Sequence, residues 1–111
     1  GAVANVASTS GLRWPGSAQV AYAATKAGVI QLSRVVAVQH APYGIRVNTV
    51  CPGVVLTDMT GDLGRVEPAN CLLPEDIAEL VLWLVTRREN IKIGTPVLMQ
   101  TMRNPWREGV Q

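Results

Sequence analysis

The sequence predicts an α/β fold, a parallel sheet with flanking helices, and three observations carry that prediction. Gly1–Ala7 is small and apolar with little alternation, as a strand covered on both faces requires. A long helical segment follows, from about Val20 to His40. Beyond it the pattern continues as strand, helix, strand, and this alternation builds a parallel sheet with right-handed crossovers.

Taken in order, the first strand gives way to a turn-rich stretch holding Ser8, Thr9, Ser10, Gly11, Pro15 and Gly16. The long helix carries Ala24, Ala27, Val29, Ile30, Leu32, Val35, Val36 and Val38, which cover more than one stripe. Its middle, Ala27 to Gln39, holds a single charge, Arg34. A helix apolar nearly all round is buried on two sides, so a partner subunit or a further segment is expected to cover one of them. Pro42 and Gly44 stop it. Ile45–Cys51 reads as the next strand, closed by Pro52-Gly53. Val54–Leu73 reads as loop, with Gly61, Gly64 and Pro68. Pro74-Glu75-Asp76 opens a second helix, with proline early and two carboxylates near the positive end of the dipole. That helix runs to about Arg88, with Ile77, Leu80, Val81, Leu84 and Val85 on one face and Trp83 close to it, expected in the core. Arg87 and Arg88 sit where cations favour the dipole. Ile91–Met99 is the expected last strand, and 100–111 a peripheral tail.

Composition narrows the function. The chain has 111 residues, a net charge of +2, 48% hydrophobic and 16% charged residues, which fits one globular domain. A charge of +2 gives no basic face for nucleic acid. The apolar runs break too soon to span a bilayer, which takes about 20 residues, and no signal peptide is evident. The two cysteines, Cys51 and Cys71, are too few for a disulfide scaffold and lack partners at zinc-ligand spacing; they read as reduced thiols of a cytoplasmic protein, with no metal site. The chain opens on Gly1 without an initiator methionine, in what reads as buried strand, so an upstream segment is expected.

In a parallel sheet, ligands sit at the carboxyl ends of the strands. The loops starting at Ser8 and Pro52, and the tail after Met99, lie there. Tyr22 and Lys26 are spaced four apart on the long helix, which puts them on one face. A phenol is a poor base near neutrality; a cation about 4 Å away stabilises a phenolate by on the order of 4 kcal/mol at an effective dielectric of 20. Ser8, at the strand end, could hold a carbonyl beside that phenol. Each feature alone has a bland reading: an amphipathic helix pair, a serine satisfying its own turn, an ordinary Pro-Gly turn. Their convergence on one sheet end is the signal.

These residues resemble the short-chain dehydrogenase/reductase family. Asn5-Val6-Ala7-Ser8 to Gly11 looks like its strand-end serine segment, and Tyr22-Ala-Ala-Thr-Lys26-Ala-Gly28 like its Tyr-x-x-x-Lys signature. Ile45-Arg46-Val47-Asn48-Thr49-Val50-Cys51-Pro52-Gly53, with Val55 and Thr57, looks like its cofactor loop, and Pro74–Ala78 like the start of its last major helix. The resemblance spans about 1–99. It implies a Rossmann-like sheet of which the N-terminal half is absent here, the whole 1–111 chain being the C-terminal catalytic part of one domain. It implies Tyr22 as general acid/base, Lys26 on Tyr22 and the nicotinamide ribose, and Ser8 on the substrate carbonyl. Pro52, Gly53, Val55 and Thr57 would hold the carboxamide of NAD or NADP. The reaction implied is hydride transfer between NAD(P)(H) and a small carbonyl/alcohol substrate, in a homodimer or homotetramer joined through helix residues 24–40.

Ser8 fits the register counted from Asn5 and Gly11, while counting back from Tyr22 leaves one residue too many, so Ser10 remains the alternative, otherwise a turn-capping hydroxyl. The family's glycine-rich phosphate turn is not among these residues. Met59, Leu63 and Val66 either line an apolar pocket or pack, and Trp14 either sits at the substrate mouth or covers the core. Two competing readings stay open: a non-catalytic fragment or pseudoenzyme serving as an interaction module, and an extended-type sugar-nucleotide epimerase or dehydratase, which shares Tyr-x-x-x-Lys. The Pro52–Thr57 loop favours the oxidoreductase over the latter.

Overall fold

Strand β1 (Ala2–Val6), helix α1 (Val20–His40), strand β2 (Arg46–Pro52), helix α2 (Pro74–Val85) and strand β3 (Val97–Met99) follow one another in the computed structural model, which describes residues 1–12, 19–57, 66–88 and 90–106. The strands form one parallel sheet in the order β1-β2-β3. Ala2 through Val6 stand opposite Arg46 through Val50, and Val50 through Pro52 opposite Val97 through Met99. This is the expected α/β sheet with flanking helices.

Local chemistry explains the boundaries. α1 ends at His40, a 3-10 turn covers Ala41–Tyr43, and Gly44 takes φ 73, a left-handed conformation suited to glycine. At the start of α2, Pro74 follows Leu73, whose N–H donates to the Asp76 carboxylate at 2.8 Å. β3 is shorter than the expected Ile91–Met99, because Pro96 has no N–H for a ladder and pairing starts after it.

Strand alternation places the helices. Cys51 packs with Ala7 and with Ile30 of α1. Arg46, an odd number of residues away and so on the other face, reaches α2, donating to the Leu84 carbonyl at 3.0 Å and to that of Arg87, just beyond the helix, at 2.8 Å. Adjacent Val50 and Cys51 are both fully buried, so both faces are covered. With strand order β1-β2-β3 and helices on opposite faces, the two crossovers differ in hand. This corrects the expectation that both are right-handed: α2 packs on the face that Arg46 serves, away from α1.

The described residues cover one side of α1: only Ile30 and Ser33 are buried, while Leu32 and Val38 are 61% and 77% exposed, which leaves the second apolar side uncovered, as its composition led us to expect. Two further expectations change. Trp83 is not core but 46% exposed. Arg87 stacks over its ring at 4.5 Å and donates to its carbonyl at 2.9 Å, while Leu84 is the buried residue. The tail is not merely peripheral: Trp106 bridges antiparallel to buried Val66, and the Glu67 N–H donates to the Pro105 carbonyl at 2.7 Å. Val66 therefore packs; Trp14, Met59 and Leu63 lie outside the described residues. Among the described residues no helix is long and apolar enough to cross a membrane, and no group of His, Cys, Asp and Glu is placed to hold a metal.

Candidate active site

Beyond the last paired residue of β1, the Ala7 N–H still donates to the Val50 carbonyl at 2.8 Å, so the strand stays in line as it leaves the sheet. Two residues past the Val6–Val50 pair stand Ser8 and Pro52, and Pro52 is in turn opposite Met99. The three loops expected to form a crevice thus start side by side.

Ser8 is extended (φ −162, ψ 154), and its Oγ accepts the Ser10 N–H at 3.1 Å, capping the 3-10 turn Thr9–Gly11. That bond uses an acceptor site and leaves the hydroxyl hydrogen to be donated. The capping oxygen expected of Ser10 belongs instead to Ser8, and Ser10 contributes its backbone N–H.

The turn lies directly on α1. A Cβ placed on Gly11 would sit 2.7 Å from the Ala27 nitrogen and 2.7 Å from the Lys26 carbonyl carbon, closer than real atoms approach. Glycine at position 11 is what lets the Ser8 turn rest against the helix at Lys26. The sequence marks Gly11 as a turn residue and as the end of the serine segment, not as a contact with the helix; a contact across this much chain leaves no local pattern.

Tyr22 and Lys26 share one face, as their spacing predicts. The Lys26 Nζ lies 5.6 Å from the centroid of the Tyr22 ring, within cation–π range. Tyr22 is 47% exposed and Lys26 half-buried. The structure thus brings Ser8, Tyr22 and Lys26 to one end of the sheet.

Below Ser8 lies Cys51. Burial pushes its thiol up, while a hydrogen bond from the Ser8 backbone and the charge of Arg34 pull it down, and burial wins. Cys71 is also pushed up, by burial and then by the Glu67 carboxylate. A thiol raised in the folded state holds its proton longer than in the unfolded chain. Its contribution to stability is complete below the ordinary thiol value and is lost as pH rises through the folded one. Denaturant unfolding across an alkaline series is therefore expected to show stability falling above about pH 8.5, with a shallower fall in Cys51→Ala. An equal slope in the variant would count against the shift.

The segment after β2 is pinned at several points. The Gly53 N–H donates to the Met99 carbonyl at 2.8 Å, the Leu72 N–H to the Val54 carbonyl at 2.9 Å, and the Leu56 N–H to the Leu72 carbonyl at 2.7 Å. Val55 stands opposite Leu72, in a stretch expected to be plain loop, and the ladder there uses groups of its neighbours. Pro52 is buried and Thr57 exposed. Polar main chain, the Thr57 and Ser8 hydroxyls and the Lys26 ammonium suit an amide-bearing ring with its ribose, so the residues present fit the nicotinamide half of a dinucleotide.

Comparison with known proteins agrees with this geometry. The short chain dehydrogenase family model matches residues 1–68. Levodione reductase of Leifsonia aquatica is 42% identical over 71 residues, covering 63% of this chain and 26% of its own. The solved structure of 4-hydroxyisoleucine dehydrogenase complexed with NADH matches with a TM-score of 0.71 at 27% identity, over 91% of this chain and 45% of that one. BdcA in complex with NADPH matches with a TM-score of 0.77 at 27% identity, over 96% of this chain and 47% of that one. The chain spans less than half the length of each. On the family match and the strand-turn-helix site that embodies its motifs, the chain belongs to the short chain dehydrogenase family.

Proposed function

We propose that this chain is the catalytic part of one nucleotide-binding domain in an NAD- or NADP-dependent oxidoreductase acting on a small carbonyl/alcohol pair. Tyr22 exchanges a proton with the substrate oxygen, Ser8 donates its hydroxyl hydrogen to that oxygen, and Lys26 steadies the charge on Tyr22 and holds the ribose. Main chain at Pro52, Gly53 and Val55, with the Thr57 hydroxyl, holds the carboxamide. The bound nicotinamide supplies or accepts the hydride. A reductase and a dehydrogenase among the relatives support the carbonyl/alcohol class and favour catalysis over a pure interaction module. The exposed apolar side chains Leu32, Val35 and Val38 support a homodimer or homotetramer joined through helix residues 24–40. The two free cysteines support a cytoplasmic setting.

The observation that carries the proposal is the contact of the Gly11 turn with Lys26, which ties the serine to the Tyr-Lys helix. Its test is carbonyl-dependent oxidation of NADH or NADPH by the intact protein, before and after Gly11→Ala. The added methyl meets backbone, which cannot swing aside. Overpacking of this kind costs about 1–3 kcal/mol, and a turn displaced from the helix is expected to slow turnover about tenfold or more. A variant with unchanged unfolding midpoint and rate would remove the contact from the argument, and an intact protein inert toward carbonyls and alcohols with both cofactors would remove the function.

A further inference from the structure

Between the strand that leads to Ser8 and the helix that carries Tyr22 and Lys26 lies a polar contact with no part in the proposed chemistry. The Asn5 Nδ2 donates to the Ser33 Oγ at 2.9 Å, and that hydroxyl donates to the Val29 carbonyl at 2.7 Å. Ser33 is 1% exposed, so it is a buried polar side chain on a helix otherwise packed by Ile30 and Val29. Thr49, opposite Asn5 in the sheet, has its buried hydroxyl without a hydrogen-bond partner among the described residues. At this level the side-chain hydrogen bond between sheet and helix is that of Asn5 to Ser33.

The placement of the bond gives it a purpose. Asn5 precedes Ser8 by three residues, about 10 Å of extended strand. Ser33 follows Lys26 by seven residues, about 10 Å of helix. At about 100° per residue, Tyr22, Lys26 and Ser33 lie within about 40° of one another around α1. The bond therefore sits equally far from Ser8 along one element and from Lys26 along the other, on the face that bears the site. The apolar contacts of Ile30 with Ala7 and Cys51 are non-directional and tolerate sliding. A hydrogen bond weakens steeply with distance and angle, so it fixes both the height and the rotation of the helix.

We infer that Asn5 and Ser33 are positioning residues, whose bond sets where Tyr22 and Lys26 stand relative to Ser8. The catalytic consequence rests on the function proposed above. The test uses the intact protein with NADH or NADPH and 2,3-butanedione as carbonyl probe, beside thermal melting and amide hydrogen exchange. Ser33→Ala and Asn5→Leu are each expected to lower kcat about tenfold or more with little change in KM. The double variant should be no slower than the worse single one, and Ser33→Thr, which keeps the hydroxyl, should restore the rate. Ile30→Val loosens the same interface without touching the bond and should keep kcat. If melting temperatures fall while kcat holds in Ser33→Ala and Asn5→Leu, the pair is only structural and the inference is overturned. An inert parent protein would defeat the proposed function separately. Exchange would still decide the geometry: faster exchange at Gly11, Lys26 and Ala27 in Ser33→Ala than in Ile30→Val supports the inference, and equal exchange overturns it.

Discussion

Tyr22→Phe is expected to cut turnover by about 10²-fold or more, the ordinary worth of a positioned acid/base. The substitution removes one oxygen. The ring on which the Lys26 ammonium rests, 5.6 Å from its centroid, stays in place. Tyr22 lies on the first turn of α1 and is 47% exposed, so its hydroxyl supports no packing that the variant would lose. Stability should accordingly hold while kcat falls, and cofactor affinity, read by fluorescence titration, should change little. Steady-state kinetics in the intact protein checks this, and a near-normal kcat would end the assignment of Tyr22.

Ser8→Ala is the second large effect, an expected loss of about 10²-fold in kcat, as for removal of one donor to a developing oxyanion. Here a structural contribution must be separated. The Ser8 Oγ also caps the turn by accepting the Ser10 N–H at 3.1 Å, and losing such a cap costs about 1 kcal/mol. Ser8→Ala should therefore melt earlier as well as turn over more slowly. Ser10→Ala supplies the contrast: the backbone N–H that Ser10 gives to Ser8 survives the substitution, so its rate and melting point should stay near those of the parent. A slow Ser10→Ala beside a normal Ser8→Ala would transfer the donor role to Ser10.

What could be read from the sequence divides along a physical line. Tyr22 and Lys26 were legible because helical spacing fixes their common face within four residues. The strand-helix-strand order was legible because periodicity and the Pro42, Gly44 and Pro74 signals are local. The close approach of Gly11 to Lys26 was not, since it joins segments separated by a loop whose path periodicity does not record. The face on which α2 packs was not, since it is settled by contacts such as that of Arg46 with the Leu84 and Arg87 carbonyls, distant in sequence, and the right-handed rule misjudged it. Trp83 looked buried by helical phase, but Arg87, one turn later, gives its ring a cationic cover at the surface. The pairing of Val66 with Trp106 likewise unites segments that no local pattern connects.

Arg46 spends its guanidinium on the carbonyls of Leu84 and Arg87 at the far end of α2. Those acceptors would otherwise turn to water when the last turn of the helix frays. Fraying there must instead break both bonds to Arg46, the first residue of β2, the strand whose last residue is Pro52, where the proposed cofactor loop begins. The helix end and the strand start are therefore coupled in their opening, and the strand that delivers Pro52 to its loop is anchored, at its far end, by a helix terminus.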